Sequence, residues 1–208
     1  KSTLYPSEKF SDATDINPQK YYLDFKDCAL RFVHKEIKLL KKECLQSDNS
    51  HLILLKQTAL VDTIVQAAFA SALWFFNRQN KQDLDDKTAP LAILARGGYG
   101  REEMYFRSDV DIQIVSRASL EDDKKKWAEE IIGHFEYLFI FQDIFPSSGN
   151  SYYIENESFE KDLNQKNIAQ FLALLEHRFI TGNIFAYKEF KSSIKTISLM
   201  HQEEIIKH

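Results

Sequence analysis

The sequence predicts an α+β domain in which a small, strand-rich centre is flanked by helices. Apolar residues first recur at helical spacing, between residues 20 and 76. The pattern then changes to short apolar runs bounded by proline and glycine, and helical spacing returns towards the C-terminus. With 208 residues, 44% of them hydrophobic, the chain is long enough to bury the core that such a domain needs.

Two helices are predicted before the first strand. In residues 20–45 the apolar positions recur every three or four residues, and residues 52–76 are more apolar, which predicts burial on more than one side. The polar segment that follows is typical of a surface connection. No apolar run approaches the roughly 18–20 residues of a membrane span, so we expect no membrane partner.

The centre is predicted to contain three strands and one helix. Residues 91–95 form a continuous apolar run that suits a buried strand, and residues 109–115 alternate polar and apolar, which predicts a strand with one exposed face. An amphipathic helix over residues 120–141 and a third strand over residues 149–155 follow. Residues 168–206 read as helices with a break at Thr181, Gly182 and Asn183.

Composition narrows the class of protein. The formal charge of −4 and the isoelectric point near 5.9 argue against wholesale binding to duplex nucleic acid, which needs many Lys and Arg contacts to phosphate. Nothing favours a disulfide between Cys28 and Cys44, so we expect reduced thiols and a cytoplasmic location. The missing initiator Met and the charged helical pattern at the end suggest a piece of a longer protein.

The stretch "RGGYGREEMYFRSDVDIQIV" (residues 96–115) carries the strongest chemical signal. Three of the six glycines lie within four positions after the first strand, where backbone can approach a ligand closely and amides can meet an anion. Asp109 and Asp111, two apart on a strand, would share one face, and their mutual repulsion is relieved by a hard cation such as Mg²⁺. Together these features indicate phosphoryl or nucleotidyl transfer. Arg101 and Ser108 could add phosphate contacts.

Other nucleotide and metal motifs are missing from the sequence. It contains no G-x-x-x-x-G-K-[ST], and "GGYG" does not satisfy G-x-G-x-x-G. Neither H-E-x-x-H nor C-x-x-C occurs, which argues against a zinc site.

The same stretch resembles the pattern G-G-Y-G-R-G-E-L-x-P-x-S-D-I-D-L of the PII-protein uridylyltransferase/uridylyl-removing enzyme, whose nucleotidyltransferase domain belongs to the DNA polymerase β-like superfamily. The positions that coincide without a gap are Gly97, Gly98, Tyr99, Gly100, Arg101, Glu103, Ser108, Asp109 and Asp111. "ALVDTIV", "GNSYY" and "LLEHRFITGN" are weaker, collinear likenesses, so the resemblance spans residues 52–190. It implies a nucleotidyltransferase core over residues 51–165, with residues 1–50 as lead-in and helix and residues 166–208 as a helical extension.

The resemblance also implies residue roles. Asp109 and Asp111 would bind Mg²⁺ and be catalytic, and Gly97, Gly98 and Ser108 would line the triphosphate site. Arg101 and Glu103 would brace the loop, and Arg178 would support the nucleotide side.

Several positions depart from the family pattern, and one expected acid is missing from it. Glu102 replaces a glycine, Phe106 a proline, and Tyr152 and Tyr153 a Val-Arg pair. The family also has a third carboxylate, the base for the incoming hydroxyl, and this chain has Ser147 at the aligned position. The neighbouring candidates for that base are Asp143, Glu155 and Glu157.

Two functional hypotheses follow. The first is a Mg²⁺-dependent nucleotidyltransferase that moves a nucleoside monophosphate, with UMP as one option, from an NTP to an acceptor hydroxyl on a protein. The alternative is a nucleotide-binding regulatory or interaction module of the same fold that lacks the third carboxylate and is inactive.

Overall fold

A computed structural model of the chain describes residues 18–117, 119–138, 152–154 and 175–200. In chain order the helices and strands in this part of the chain are α1 (Pro18–Cys44), α2 (Ser50–Asn80), β1 (Leu91–Arg96), α3 (Gly97–Gly100), β2 (Ile112–Ser116), α4 (Asp122–Leu138), β3 (Tyr152–Ile154), β4 (His177–Gly182) and α5 (Ile184–Met200). The predicted helices before the first strand, that strand, the amphipathic helix and the third strand are thereby confirmed.

The four strands form one mixed sheet in the order β3-β2-β1-β4. β1 runs antiparallel to both of its neighbours, whereas β2 and β3 run parallel. All five residues of β2 and the first five of β1 are buried, as expected for the two central strands. The predicted α+β class, with a small mixed sheet preceded and followed by helices, is confirmed.

The chain divides into two compact units. The helical unit contains the described residues up to Asp83, Glu102–Val110, and α4 from Glu130. The sheet unit contains Leu84–Arg101, the described residues of Asp111–Glu129, and the described residues from Tyr152 onwards.

In the helical unit, α1 packs against α2 through aromatic side chains. The Tyr21 ring stacks on Trp74 with 5.2 Å between centroids, and the Tyr22 ring stacks on Phe75 at the same separation. Asn49 begins α2 because its side-chain oxygen accepts a hydrogen bond of 3.1 Å from the backbone N–H of Leu52.

Helix α2 is long and apolar enough to cross a membrane by length and composition alone. Its most apolar window of 18 residues has a mean hydropathy of 1.6, and 67% of that window is buried inside the protein. The expectation that no stretch approaches a membrane span is therefore wrong for this helix. Uncharged polar residues such as Gln57 and Thr58 interrupt the apolar run while the average stays high, and both are buried.

In the sheet unit, α5 covers one face of the sheet. Its buried residues pack against β1 and β2 in a cluster made of Ala92, Leu94, Val115, Ala186, Phe190, Ile194 and Ile197. Asn183 joins β4 to this helix: its side-chain amide donates to the carbonyls of Lys87 and Ala89 at 2.9 and 2.8 Å, and its Oδ1 accepts from the N–H of Phe185 at 2.9 Å. The predicted break at residues 181–183 is therefore a junction between a strand and a helix.

The segment before that junction corrects the prediction of helix. His177–Gly182 is strand β4, which pairs antiparallel with β1. The run contains Phe179, Ile180 and Thr181, which favour strands, and its pairing partner lies some 80 residues away, so local periodicity could not reveal it. The His177 ring packs edge-on against Phe190, with 5.0 Å between centroids.

The second predicted strand is shorter than expected and is buried on both faces. β2 begins at Ile112, so Asp109 and Asp111 precede the strand rather than alternate along it. The last paired residues are Ala95 and Ile112, after which β1 gives way to the glycine turn. Gln113 is fully buried in β2, which excludes the exposed face that alternation predicted.

Candidate functional site

The clustered glycines of the motif form a tight turn at the end of β1. Arg96 is the last strand residue, Gly97–Gly100 is the single-turn helix α3, and the N–H of Arg101 donates to the Gly97 carbonyl at 3.0 Å. Gly97 has a φ of +52°, in the left-handed region that only glycine occupies at little cost. The glycine turn, residues 97–101, therefore owes its start to Gly97.

The other two glycines of the turn have different surroundings. A Cβ on Gly100 would lie well inside van der Waals contact with the carbonyl oxygen of Glu176 and 3.1 Å from that of Ala95. A Cβ on Gly98 would meet only Nη2 of Arg101, at 3.9 Å, which is ordinary contact. Gly100 is thus required by packing against β4, whereas the fold has room for a side chain at position 98.

Asp111 lies against this turn. Its backbone carbonyl accepts a hydrogen bond of 3.0 Å from the N–H of Arg96, which extends the β1–β2 pairing by one residue. Its half-buried side chain places Oδ2 3.7 Å from the position that a Cβ on Gly97 would occupy. The absence of a side chain at Gly97 leaves space beside this carboxylate.

Asp109 is exposed and has no strand conformation. It is two residues from Asp111, so the chain itself keeps their Cα atoms within about 7 Å. Carboxylate oxygens are the donors that a hard divalent cation prefers, and Mg²⁺ commonly takes only one or two carboxylates and keeps several waters. The residue types and the open space at Gly97 therefore fit Mg²⁺. Within the part of the chain that the structure describes, no three His, Cys, Asp or Glu side chains are grouped to hold a metal.

Arg101 forms an ion pair with Glu176, through Nη1 and Oε2. Arg178 lies over the ring of buried Tyr99, with 5.5 Å between the guanidinium carbon and the ring centroid. Glu176, directly before β4, thus contacts the glycine turn at Arg101 and Gly100, and Arg178 of β4 contacts it at Tyr99. From the sequence, Arg101 and Glu103 were expected to stabilise the loop, and Glu176 was not identified. Glu176 nevertheless belongs to the collinear "LLEHRFITGN" segment.

Ser108 and Glu102 lie in the segment that belongs to the helical unit. The Ser108 hydroxyl accepts a hydrogen bond of 2.9 Å from the N–H of Tyr105, so it closes a local turn. Glu102, which replaces a glycine of the family pattern, has a φ of +63°. The position thus has the left-handed conformation for which glycine is suited.

The remaining candidates lie outside the described residues. These are the possible third carboxylates Asp143, Glu155 and Glu157, together with Ser147. Tyr152 and Tyr153 are described as strand backbone only, paired with Gln113 and Ile114.

A cavity of about 470 Å³ lies at the other end of β1 from the glycine turn. Its lining includes Pro90, immediately before β1, Arg117, immediately after β2, and Trp127 of α4. The aspartates and glycines are not part of it. The glycine turn with Asp111 and this cavity are therefore two separate places in the sheet unit.

Comparison with known proteins agrees with the resemblance read from the motif. Residues 43–177 match the family described as "Putative nucleotidyltransferase DUF294". Curated relatives named bifunctional uridylyltransferase/uridylyl-removing enzyme are 32% identical over 130 residues in Zymomonas mobilis and 32% identical over 127 residues in Cereibacter sphaeroides. A relative of the same name in Idiomarina loihiensis is 29% identical over 143 residues.

These matches cover most of this chain and a small part of each relative. They take in 62%, 61% and 66% of the chain, but only 12%, 12% and 15% of the respective relatives. The family match contains the glycine turn and both aspartates, and it ends at the first residue of β4. The chain is a nucleotidyltransferase-like domain and belongs to the DUF294 family.

Proposed function

We propose that this domain transfers a nucleoside monophosphate from a Mg²⁺-bound NTP to an acceptor hydroxyl. The observation that carries the proposal is the arrangement over two successive glycines. A carboxylate oxygen of Asp111 lies beside Gly97, and a guanidinium nitrogen of Arg101 lies beside Gly98. A negative group next to one glycine and a positive group next to the following glycine suit a ligand that combines a cation with phosphates.

Each residue then has a task in binding. Asp109 and Asp111 would hold Mg²⁺, which when bound neutralises phosphate charge and favours the departure of pyrophosphate. Gly97 and Gly98 would let the triphosphate approach the backbone, and the Ser108 hydroxyl would add a phosphate contact. Transfer forms a bond between the acceptor oxygen and the α-phosphorus, breaks the bond from that phosphorus to the bridging oxygen, and releases the acceptor's proton to a base.

UTP and a protein acceptor are the substrates we propose. The relatives are named uridylyltransferases, and the chain resembles an enzyme that modifies a protein. The shared segment is a small fraction of those relatives, so their uridylyl-removing activity is no part of this proposal.

A thermal-shift series with the four NTPs, each with and without Mg²⁺, tests binding. A ligand at 100 times its Kd stabilises the folded state by about 2.7 kcal/mol, which is easily measured as a rise in Tm. We expect Mg-UTP to raise Tm and Asp109→Asn or Asp111→Asn to remove most of the rise. Asp83→Asn is the matched control, because Asp83 is an exposed aspartate in the loop after α2.

Release of pyrophosphate in the presence of an acceptor protein tests transfer. Binding that depends on both aspartates, together with pyrophosphate release, supports the enzyme. Firm binding with no pyrophosphate from any NTP would instead support the nucleotide-binding module. The absence of any Mg²⁺-dependent rise in Tm would contradict both functions.

A further inference from the structure

The guanidinium of Arg101 lies between a carboxylate and a glycine. Its Nη1 contacts Oε2 of Glu176, and its Nη2 lies 3.9 Å from the position that a Cβ on Gly98 would occupy. Because the guanidinium is planar and rigid, fixing one of its nitrogens also fixes the direction of the other. Glu176 therefore determines where the second nitrogen stands relative to the glycine turn.

Glu176 is well suited to this task because the backbone around it is fixed. His177, the next residue, pairs with Arg96 in the β1–β4 ladder, directly before the glycine turn. The Glu176 carbonyl oxygen is so close to Gly100 that no side chain fits between them. The carboxylate of Glu176 thus projects from backbone that is packed directly on the turn.

A purely stabilising role does not explain this ion pair. The side chains of Arg101 and Glu176 are 44% and 45% exposed. Ion pairs this exposed contribute little to folding stability because solvent screens them. Tyr99 under Arg178 and the contact at Gly100 already hold the turn on β4. What the ion pair adds is the direction of the Arg101 side chain.

We infer that Glu176 is a positioning residue that aims Arg101 at a phosphate of the bound Mg-NTP over Gly98. The inference rests on the proposed function. Through its separate nitrogens one guanidinium can contact both a carboxylate and a phosphate, since it has five N–H donors in a fixed fork. Glu176 itself does not touch the nucleotide, so its effect on binding passes entirely through Arg101.

A double-mutant cycle measures this dependence. We expect Arg101→Ala to weaken Mg-UTP binding by roughly tenfold or more, the loss of one charge-assisted hydrogen bond. Glu176→Ala and the isosteric Glu176→Gln should each weaken Mg-UTP binding by roughly three- to tenfold. In the Arg101→Ala background, loss of Glu176 should change Kd by less than about twofold, because coupled residues are not additive. The same cycle with Mg²⁺-tripolyphosphate should give the same pattern, since the contact is to phosphate.

The Arg117–Glu189 ion pair is the matched control. It lies in the same unit, its atoms are 3.0 Å apart, and its side chains are 49% and 34% exposed. It joins the residue after β2 to α5, at the other end of the sheet from the glycine turn. Glu189→Ala should therefore leave Kd unchanged. Circular dichroism and Tm without nucleotide should match the wild type for all single variants, which keeps folding apart from binding.

The exchanged pair Arg101→Glu with Glu176→Arg gives a second test. It restores the ion pair but places the guanidinium on β4, so we expect Tm near that of the wild type and binding as weak as in Arg101→Ala. Recovery of binding in the exchanged pair would overturn the inference, and so would additive effects in the cycle. If the wild type binds neither Mg-UTP nor Mg²⁺-tripolyphosphate, the proposed function fails. If it binds both but the cycle is additive, only the role of Glu176 fails.

Discussion

The glycine turn and the aspartate segment, residues 107–111, are neighbours in the sequence motif but relate differently to the fold. In the turn, Gly97 supplies a left-handed φ, Gly100 allows contact with β4, and the Tyr99 side chain is buried. In the aspartate segment, Val110 is buried, whereas Asp109 is exposed. A glycine motif can therefore reflect packing as well as ligand binding, and substitutions can separate the two.

The largest effect is expected at the glycine that packs. Gly100→Ala places a methyl group against the backbone oxygens of Glu176 and Ala95, and backbone cannot move aside as a side chain can. We expect a loss of about 3 kcal/mol in the free energy of unfolding, at the upper end for overpacking. Urea denaturation followed by circular dichroism measures it.

Gly133 is the control for that substitution. It lies within α4, and a Cβ built on it meets nothing within 4 Å. Gly133→Ala should stabilise the protein by about 0.5–1 kcal/mol, because alanine favours a helix and glycine does not. Equal effects at positions 100 and 133 would show that the contact with Glu176 does not constrain the turn.

The glycine with room for a side chain should show the opposite behaviour. Gly98→Ala leaves ordinary contact with Arg101, so we expect the free energy of unfolding to change by no more than about 0.5 kcal/mol. If phosphate approaches this backbone, the added methyl group should weaken Mg-UTP binding at least about tenfold. Titration of Mg-UTP against wild type and variant measures this.

Unchanged Kd in a folded Gly98→Ala variant would break the comparison. It would mean that no phosphate approaches the backbone at Gly98 and that the ligand binds elsewhere. Loss of both stability and binding would likewise remove the distinction between positions 98 and 100.

How much of the fold could be predicted from the sequence depends on how local each sequence signal is. The helix Pro18–Cys44 follows from periodicity within its own residues, and the strand before the glycine turn follows from its apolar run. The strand at His177–Gly182 was mistaken for helix because only its pairing with a distant strand makes it one. The position of the aspartates before β2 was missed for a related reason: their partner strand ends where the glycine turn begins.

The candidate site was predictable in its residue types but not in its contacts. Both aspartates and the glycines could be named from spacing and from the family resemblance. The pairing of Arg101 with Glu176 spans 75 residues, and no local pattern encodes such a distance. The φ of Glu102 could have been anticipated, because the family pattern has glycine where this chain has glutamate.

That glutamate gives the third prediction, at the boundary between the turn and the aspartate segment. A left-handed conformation costs a residue with a Cβ roughly 1–2 kcal/mol, and glycine recovers this at an entropic cost of roughly 0.5–1 kcal/mol. We expect Glu102→Gly to raise the free energy of unfolding by about 0.5–1 kcal/mol. Glu103→Gly is the control. Glu103 has no positive φ, so this substitution should lower the free energy of unfolding by about 0.5–1 kcal/mol. Destabilisation by both would show that Glu102 makes contacts that outweigh its backbone strain.

The smallest expected effect is a dependence of stability on pH that arises at His134, in the helical unit. In the helical unit, Nδ1 of His134 accepts a hydrogen bond of 2.6 Å from the Tyr22 hydroxyl, and Nε2 lies 3.2 Å from Oε1 of Gln79. Burial lowers the pKa of His134 below its ordinary 6.5, and the nearby Glu130 carboxylate opposes the shift only in part. The folded state thus binds fewer protons than the unfolded state, so the contribution of His134 to stability is complete above pH 6.5 and declines as the pH falls through that value.

In His134→Gln the drop in Tm between pH 7.5 and 5.5 should be smaller than in the wild type, by at most about 2 °C. An equal drop in both proteins would show that the histidine is protonated as readily in the folded state as in the unfolded chain.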